Sequence, residues 1–198
     1  MIDQWNDDRT GFAQFSDDEV MRYHLIYLVS DRSRELGGDI VITSLLGNAR
    51  PRHALRVATW LLLNPSTATA FRPDPTVGEC VKFTRRWWHD VTWIVNPFAF
   101  RSPYPSDLKK RAVGERGDDA VNAAAILIAC SQADIVIAGW GVGGDLDSRD
   151  VQVRKMLASA NVRLHHLGLT KDGFPKHPLA RGVHRIPTDQ QPIHWCTP

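Results

Sequence analysis

The residues of this 198-residue chain best able to do chemistry stand in short loops: Asn64, Asp74, Asn96, Trp140 and His177. A carboxylate such as Asp74 can take the proton of a water and face a developing cation. Asp74-Pro75-Thr76 is also a natural helix start, so capping competes for the same side chain. Asn96 carries one donor and one acceptor, the pair needed to read a base edge, and Phe98 offers a stacking face. A turn Asn and a core Phe account for these two residues equally well. Ser66, Thr67 and Thr69 add hydroxyls. Trp140, between Gly139 and Gly141, either lines a pocket or plugs a sheet edge.

Other chemistries fit poorly. His165 and His166 are adjacent on an expected strand and point to opposite faces, so they cannot chelate one ion. Ser66 lacks the flanking glycines of a nucleophile elbow, and Gly139, Gly141, Gly143 and Gly144 are not spaced as a dinucleotide fingerprint. Cys80, Cys130 and Cys196 are odd in number and far apart, which reads as reduced thiols in a reducing compartment. No metal and no cofactor are expected.

The elements that must position these loops follow from periodicity. Tyr23 to Val29 and Ile40 to Leu46 read as an antiparallel strand pair around Gly37-Gly38. Strand patterns then recur at Val57 to Leu63, Val91 to Val95, Ile135 to Ala138 and Val162 to Leu167. Helical patterns separate them at Thr76 to His89, after Ser106 as N-cap, at Asp118 to Ala133 and at Arg149 to Ala160. Such alternation predicts an α/β fold, a three-layer sandwich with a mainly parallel central sheet and helices on both faces. Ligands bind such sheets beyond the carboxyl ends of the strands. That rule selects Asn64 to Ala68, Asn96 to Arg101, Trp140 to Gly144, and Gly168 to Gly182.

Length and composition predict one domain over residues 20–187, with an acidic N-terminal arm (1–19) and a C-terminal tail (188–198). No apolar run has membrane-spanning length and no secretory leader is seen, so a cytoplasmic location is expected. Net charge is +2, but residues 1–19 hold six acids and one base, leaving the remainder 23 bases against 16 acids, or +7. The bases cluster at Arg50, Arg52 and Arg56, at Lys82, Arg85 and Arg86, at Lys109 to Arg111, and at Lys171, Lys176, Arg181 and Arg185. Any one cluster reads equally as a solvated face; their number, interleaved with Trp87, Trp88 and Tyr104, favours a phosphate backbone.

Five stretches, Leu61 to Ala68, Asp74-Pro75-Thr76, Asn96 to Arg101, Ala138 to Gly141 and Leu167 to Leu179, together resemble a family of small bacterial and phage proteins of unknown function, over residues 20 to 182. In the same order they are similar to the uracil-DNA glycosylase superfamily, especially its mismatch-specific branch. The second resemblance implies a glycosylase-like fold and a monofunctional enzyme that hydrolyses the N-glycosidic bond of a flipped base. It also implies that Asn64 orients the attacking water, that His177 donates to the base oxygen, and that Leu179 enters the gap left in the duplex. Where those enzymes continue with Ser after the Pro, this chain has Leu179, which moves phosphate contact to Lys176 or Arg181, with Arg101 and Lys171 nearby.

Uracil-strict relatives resemble one another in a bulky Tyr that rejects groups on carbon 5 of the pyrimidine. Here Ser66 to Ala70 are small and Phe71 is the first aromatic, so the expected target is a 5-substituted pyrimidine, such as a modified phage base met in antiviral defence. The expected partner is DNA, as a duplex with a flipped base or as a single strand, with no membrane and no obligate protein partner. Ser66, Thr67, Asn96, Phe98 and Trp140 are the expected base contacts. A hydrolase of free nucleosides or nucleotides using the same pocket, or a non-catalytic nucleic-acid-binding module, would present the same loops.

Overall fold

The computed structural model describes residues 1–49 and 55–195; Arg50, Arg52 and Cys196 of the readings above lie outside them. It is an α/β fold built on one mixed sheet of eight strands, in the order β1-β2-β3-β5-β4-β6-β7-β8. The strands are β1 (Ile2–Trp5), β2 (Gly11–Phe15), β3 (Arg22–Leu28), β4 (Val57–Leu61), β5 (Val91–Val95), β6 (Ile135–Ala138), β7 (Leu164–His166) and β8 (Ile193–His194). The helices are α1 (Asp31–Glu35), α2 (Gly38–Leu46), α3 (Pro75–Arg86), α4 (Ser106–Lys110), α5 (Ala120–Ser131) and α6 (Arg149–Ser159).

The four strands at the heart of the alternating pattern, β5-β4-β6-β7, are parallel. They are five residues or fewer and buried along almost their whole length, as expected of strands covered on both faces. Trp60, Ile94 and Ile137 point to one face, where Val77, Cys80 and Phe83 of α3 meet them. Their neighbours Leu61, Val95 and Ala138 point to the other, under Ile42 of α2, Ile126 of α5 and Leu157 of α6. The period-two alternation along each strand therefore fills two cores at once.

Five expectations need correction. The sheet is not mainly parallel: the pairings β1·β2, β2·β3, β3·β5 and β7·β8 are antiparallel, because a three-strand meander extends one edge and a short return strand extends the other. Ile40 to Leu46 is not a strand but most of α2, whose buried Val41, Ile42 and Leu45 have helical spacing. A short apolar run is ambiguous by periodicity, and here its partner positions beside β3 are taken by β2 and β5. Nor are residues 1–19 an arm: they form β1 and β2, with Phe12, Ala13 and Phe15 fully or almost fully buried. The acids that suggested an arm lie on the edge strand and in turns. The tail likewise returns as β8. Ser106 is the first helical residue of α4, with Pro105 at the cap.

One buried group makes the fold acid-sensitive. His24 of β3 is 3% exposed, its Nδ1 accepts from the Trp93 indole at 3.2 Å, and burial pushes its pKa down to about 4. An unfolded His titrates near 6.5, so between about pH 6.5 and 4 the unfolded chain binds a proton that the folded one refuses. Stability is thus lost as pH falls through that window, by about 3 kcal/mol at its lower end. Urea unfolding between pH 7 and 4 should show that loss. In His24→Asn, which keeps an acceptor for the indole and cannot titrate, the decline should be shallower by this amount.

Candidate functional site

The strand order reverses at β4: the chain leaves it for β5 on one side and later crosses to β6 on the other. Loops leaving β4 and β6 therefore diverge, and a crevice opens beyond their carboxyl ends. A cavity of about 620 Å³ occupies this place, lined by residues that include Asn64, Asp74, Asn96, Trp140 and His177.

Asn64 is the third residue of the loop after β4. Its Nδ2 donates to the carbonyls of Pro65 (2.9 Å), Ser102 (2.9 Å) and Phe100 (3.4 Å), tying this loop to the one after β5. Three acceptors around one nitrogen fix the orientation of the amide and leave Oδ1 as its free polar atom. The loop after β5 is itself held from below. Asn122, fully buried in α5, donates to the carbonyls of Asn96 and Pro97, and Arg149 Nε donates to Pro97.

Asp74 is the N-cap of α3, and its Oδ1 accepts from Val77 N at 2.9 Å with Pro75 at the first helical turn. Capping uses one carboxylate oxygen. The other belongs to a half-buried side chain on the cavity wall.

His177 comes from the loop after β7. That loop docks on the end of β6: Gly141 N donates to Pro175 O at 3.0 Å, and a Cβ on Gly139 would lie 3.2 Å from Pro178. A side chain at 139 would press on Pro178 and Leu62, each of which would have to shift by a few tenths of an ångström. Leu179 N donates to His177 Nδ1 at 3.2 Å, so this nitrogen is an acceptor and a neutral ring carries its proton on Nε2. Burial lowers the pKa of His177, partly opposed by the negative charge of Asp74, which keeps the ring neutral at pH 7.

Sequence reasoning missed Arg22. It lines the cavity from β3, is 2% exposed, and has no carboxylate within 4.0 Å among the described residues. Nη1 donates to Ala68 O at 2.9 Å, Nη2 makes only a long 3.5 Å approach to Asn96 Oδ1, and Nε has no partner. Burial lowers its pKa to about 10, with Asp74 pulling the other way, so it stays charged at neutral pH. The signal was a cation at the head of the apolar run Tyr23 to Val29, where a charge has no structural reason to sit.

Other assigned residues divide. Ser66 and Trp140 line the cavity. The indole Nε1 of Trp140 is buried without a partner, and its ring lies so close to the backbone at Gly144 that a Cβ there would collide with Cδ1. Asn96 is in the wall; its Nδ2 gives one hydrogen to Leu62 O at 2.7 Å, and its Oδ1 takes the long 3.5 Å approach of Arg22 Nη2. Phe98 is fully buried in a cluster with Phe100 and Leu108 and does not line the cavity, so it cannot stack a ligand base. Thr67 is exposed on neighbouring grooves outside the cavity.

Of the expected DNA contacts, Arg101 is largely committed: it lies 4.6 Å over the Phe15 ring and donates to Glu19 O. Lys171 and Arg181 are exposed, Lys176 is half-buried, and Leu179 lies half-buried in a shallow groove with Phe83. Lys109 of α4 is a basic residue on the cavity wall itself. No helix among the described residues is long and apolar enough to cross a membrane.

Compared with known proteins, residues 47–179 match the model of a family described as "Protein of unknown function (DUF1643)". No curated protein and no solved structure matches the chain.

Proposed function

The chain therefore belongs to the DUF1643 family, whose description names no reaction, and we propose that it is a DNA glycosylase that hydrolyses the N-glycosidic bond of a flipped, 5-substituted pyrimidine. One observation carries this reading: a carboxylate (Asp74) and a neutral imidazole with its proton on Nε2 (His177) line the same cavity at the switch point of the sheet. Breaking the bond between base and sugar builds positive charge on the sugar and negative charge on the base. Asp74 faces the sugar cation and takes the proton of the attacking water. His177 Nε2–H donates to a base oxygen as its charge grows. The water oxygen bonds to the anomeric carbon, the carbon–nitrogen pair leaves with the base, and the base is protonated from solvent as Asp74 returns its proton. Asn64 Oδ1 is a second acceptor for the same water.

One side of the wall near Asn64 bears on the 5-substituent. Of the small residues Ser66 to Ala70, Ser66 lines the cavity and brings a hydroxyl, whereas Ala68 and Ala70 are packed in the core, and Phe71 is 56% exposed instead of filling the space. Lys109, Lys176 and Arg181 would meet phosphates, and Leu179 would fill the vacated stack. Changing Lys176 or Arg181 to Ala should weaken binding to all sequences and lower the salt slope by about one unit each. An unchanged slope removes that residue from the interface.

The test is base release from duplexes carrying uracil, a thymine mismatch, 5-hydroxymethyluracil, 5-hydroxymethylcytosine or its glucosylated form, read by mass spectrometry and by alkali-induced strand breaks. Release of an enlarged pyrimidine is expected. Excision of uracil alone would refute the open-pocket argument. Release from free nucleosides but not DNA would make the protein a nucleoside hydrolase. DNA binding with no release from any substrate would leave a non-catalytic module.

A further inference from the structure

The strongest unexplained feature of the cavity is its floor. Arg22, Asn96 and Trp140 are each at most 2% exposed and all line the cavity, whereas Asp74 and His177 are only partly buried. The floor presents donors. Arg22 Nε and Trp140 Nε1 have no partner, Arg22 Nη2 has only a contact at the limit of hydrogen bonding, and Asn96 Nδ2 keeps one hydrogen beyond that given to Leu62. A buried guanidinium without a paired carboxylate is costly, and the one short bond this one makes, from Nη1 to Ala68 O at 2.9 Å, leaves most of its donors unused.

On the glycosylase reading a nucleotide would enter base first, with its sugar at the mouth beside Asp74, so that the edge remote from the sugar would meet the floor. Resting on the glycosylase reading above, we propose that Arg22 is the specificity-determining residue of the site and takes the position-4 oxygen of the pyrimidine, so that uracil-type bases are accepted and cytosine-type bases refused. An amino group at position 4 would set donor against donor and leave the buried guanidinium unsatisfied, and sites built to hydrogen-bond one group reject its absence strongly. The arrangement also polarises the cavity along the breaking bond, with Asp74 on the sugar side and the Arg22 charge at the far edge of the departing base. The charge Arg22 carries at neutral pH suits that task.

Two nucleosides isolate the position-4 group, because 5-hydroxymethyl-2′-deoxyuridine and 5-hydroxymethyl-2′-deoxycytidine are alike at carbon 5. Calorimetric titration of the wild-type protein should show the uridine binding ~100-fold tighter. Arg22→Gln, whose amide can turn either donor or acceptor to the ligand, should bring the two affinities within a few-fold of each other. Arg22→Lys, which keeps the charge and loses the fork, should retain part of the preference. Equal affinities in the wild-type protein, binding of neither nucleoside, or an undiminished preference in a folded Arg22→Gln would each overturn the proposal. The wild-type comparison stands even if both variants fail to fold. Selective binding with no base released from any duplex would leave this inference standing and sink the glycosylase. Release of both 5-hydroxymethyl bases at similar rates would do the reverse.

Discussion

Asp74→Asn is expected to lower base release about 10³-fold, the range of a positioned general base, in a protein that folds as before. Asn is as good an N-cap as Asp, and its side-chain oxygen can keep the 2.9 Å bond from Val77 N that starts α3. What it loses is the negative charge, both as proton acceptor for the water and as counter-charge for the sugar cation. Stability should change by less than about 1 kcal/mol, the worth of a carboxylate at a helix N-terminus. Asp74→Ala separates the two functions by adding loss of the cap, worth about 1 kcal/mol. Single-turnover release together with urea unfolding of both variants reads the outcome. If Asp74→Asn keeps its turnover while Asp74→Ala only loses stability, Asp74 is a helix cap and the water belongs to Asn64.

Which parts of this site could be read in the sequence follows from where the information lies. β5 and β6 fall on the expected residues, because a strand buried on both faces is a continuous apolar run bounded by polar residues. The crevice was legible for the same reason: once four strands alternate with helices, the loops at their carboxyl ends are fixed before any side chain is considered. Of the meander, β3 falls close to the strand expected at Tyr23 to Val29, but β1, β2 and the return strand β8 were not legible, since their pairing partners are set by sheet edges that no local pattern describes. Charge counting even hid β1 and β2, whose buried Phe12 and Phe15 carry more structural information than the acids around them. Phe98 went to the wrong place because loop side-chain direction depends on backbone held from elsewhere, here by Asn122 and Arg149 at Asn96 and Pro97. Arg22 was missed because it reaches the cavity from a strand outside the parallel set.

Asn64→Ala tests how tightly structure and chemistry are joined in the loop after β4. The single Nδ2 of Asn64 serves the carbonyls of Pro65, Phe100 and Ser102; Pro65 O keeps a second donor in Ser102 N, so the truncation leaves the carbonyls of Ser102 and Phe100 without this donor at the seam between two site loops. A loss of about 2 to 3 kcal/mol is expected, the cost of partly buried carbonyls left unpaired, and ligand affinity and turnover should fall together as the seam loosens. Asn64→Asp gives the sharper result. A carboxylate can accept a proton from water at least as well as the amide oxygen, so a purely catalytic Asn64 predicts that the aspartate variant retains more turnover than the alanine variant. With a structural seam the order reverses: the new oxygen would face Pro65 O and Ser102 O in place of a donor, turning two 2.9 Å attractions into repulsions. Asn64→Asp would then be less stable than Asn64→Ala at pH 7, and would recover part of the difference at low pH, where its carboxyl carries a proton and can donate again. Thermal unfolding of the two variants at pH 7 and about pH 4.5, near the ordinary carboxyl range, each compared with wild type, reads the sign directly. A more stable aspartate variant at neutral pH would remove the seam and return Asn64 to the water.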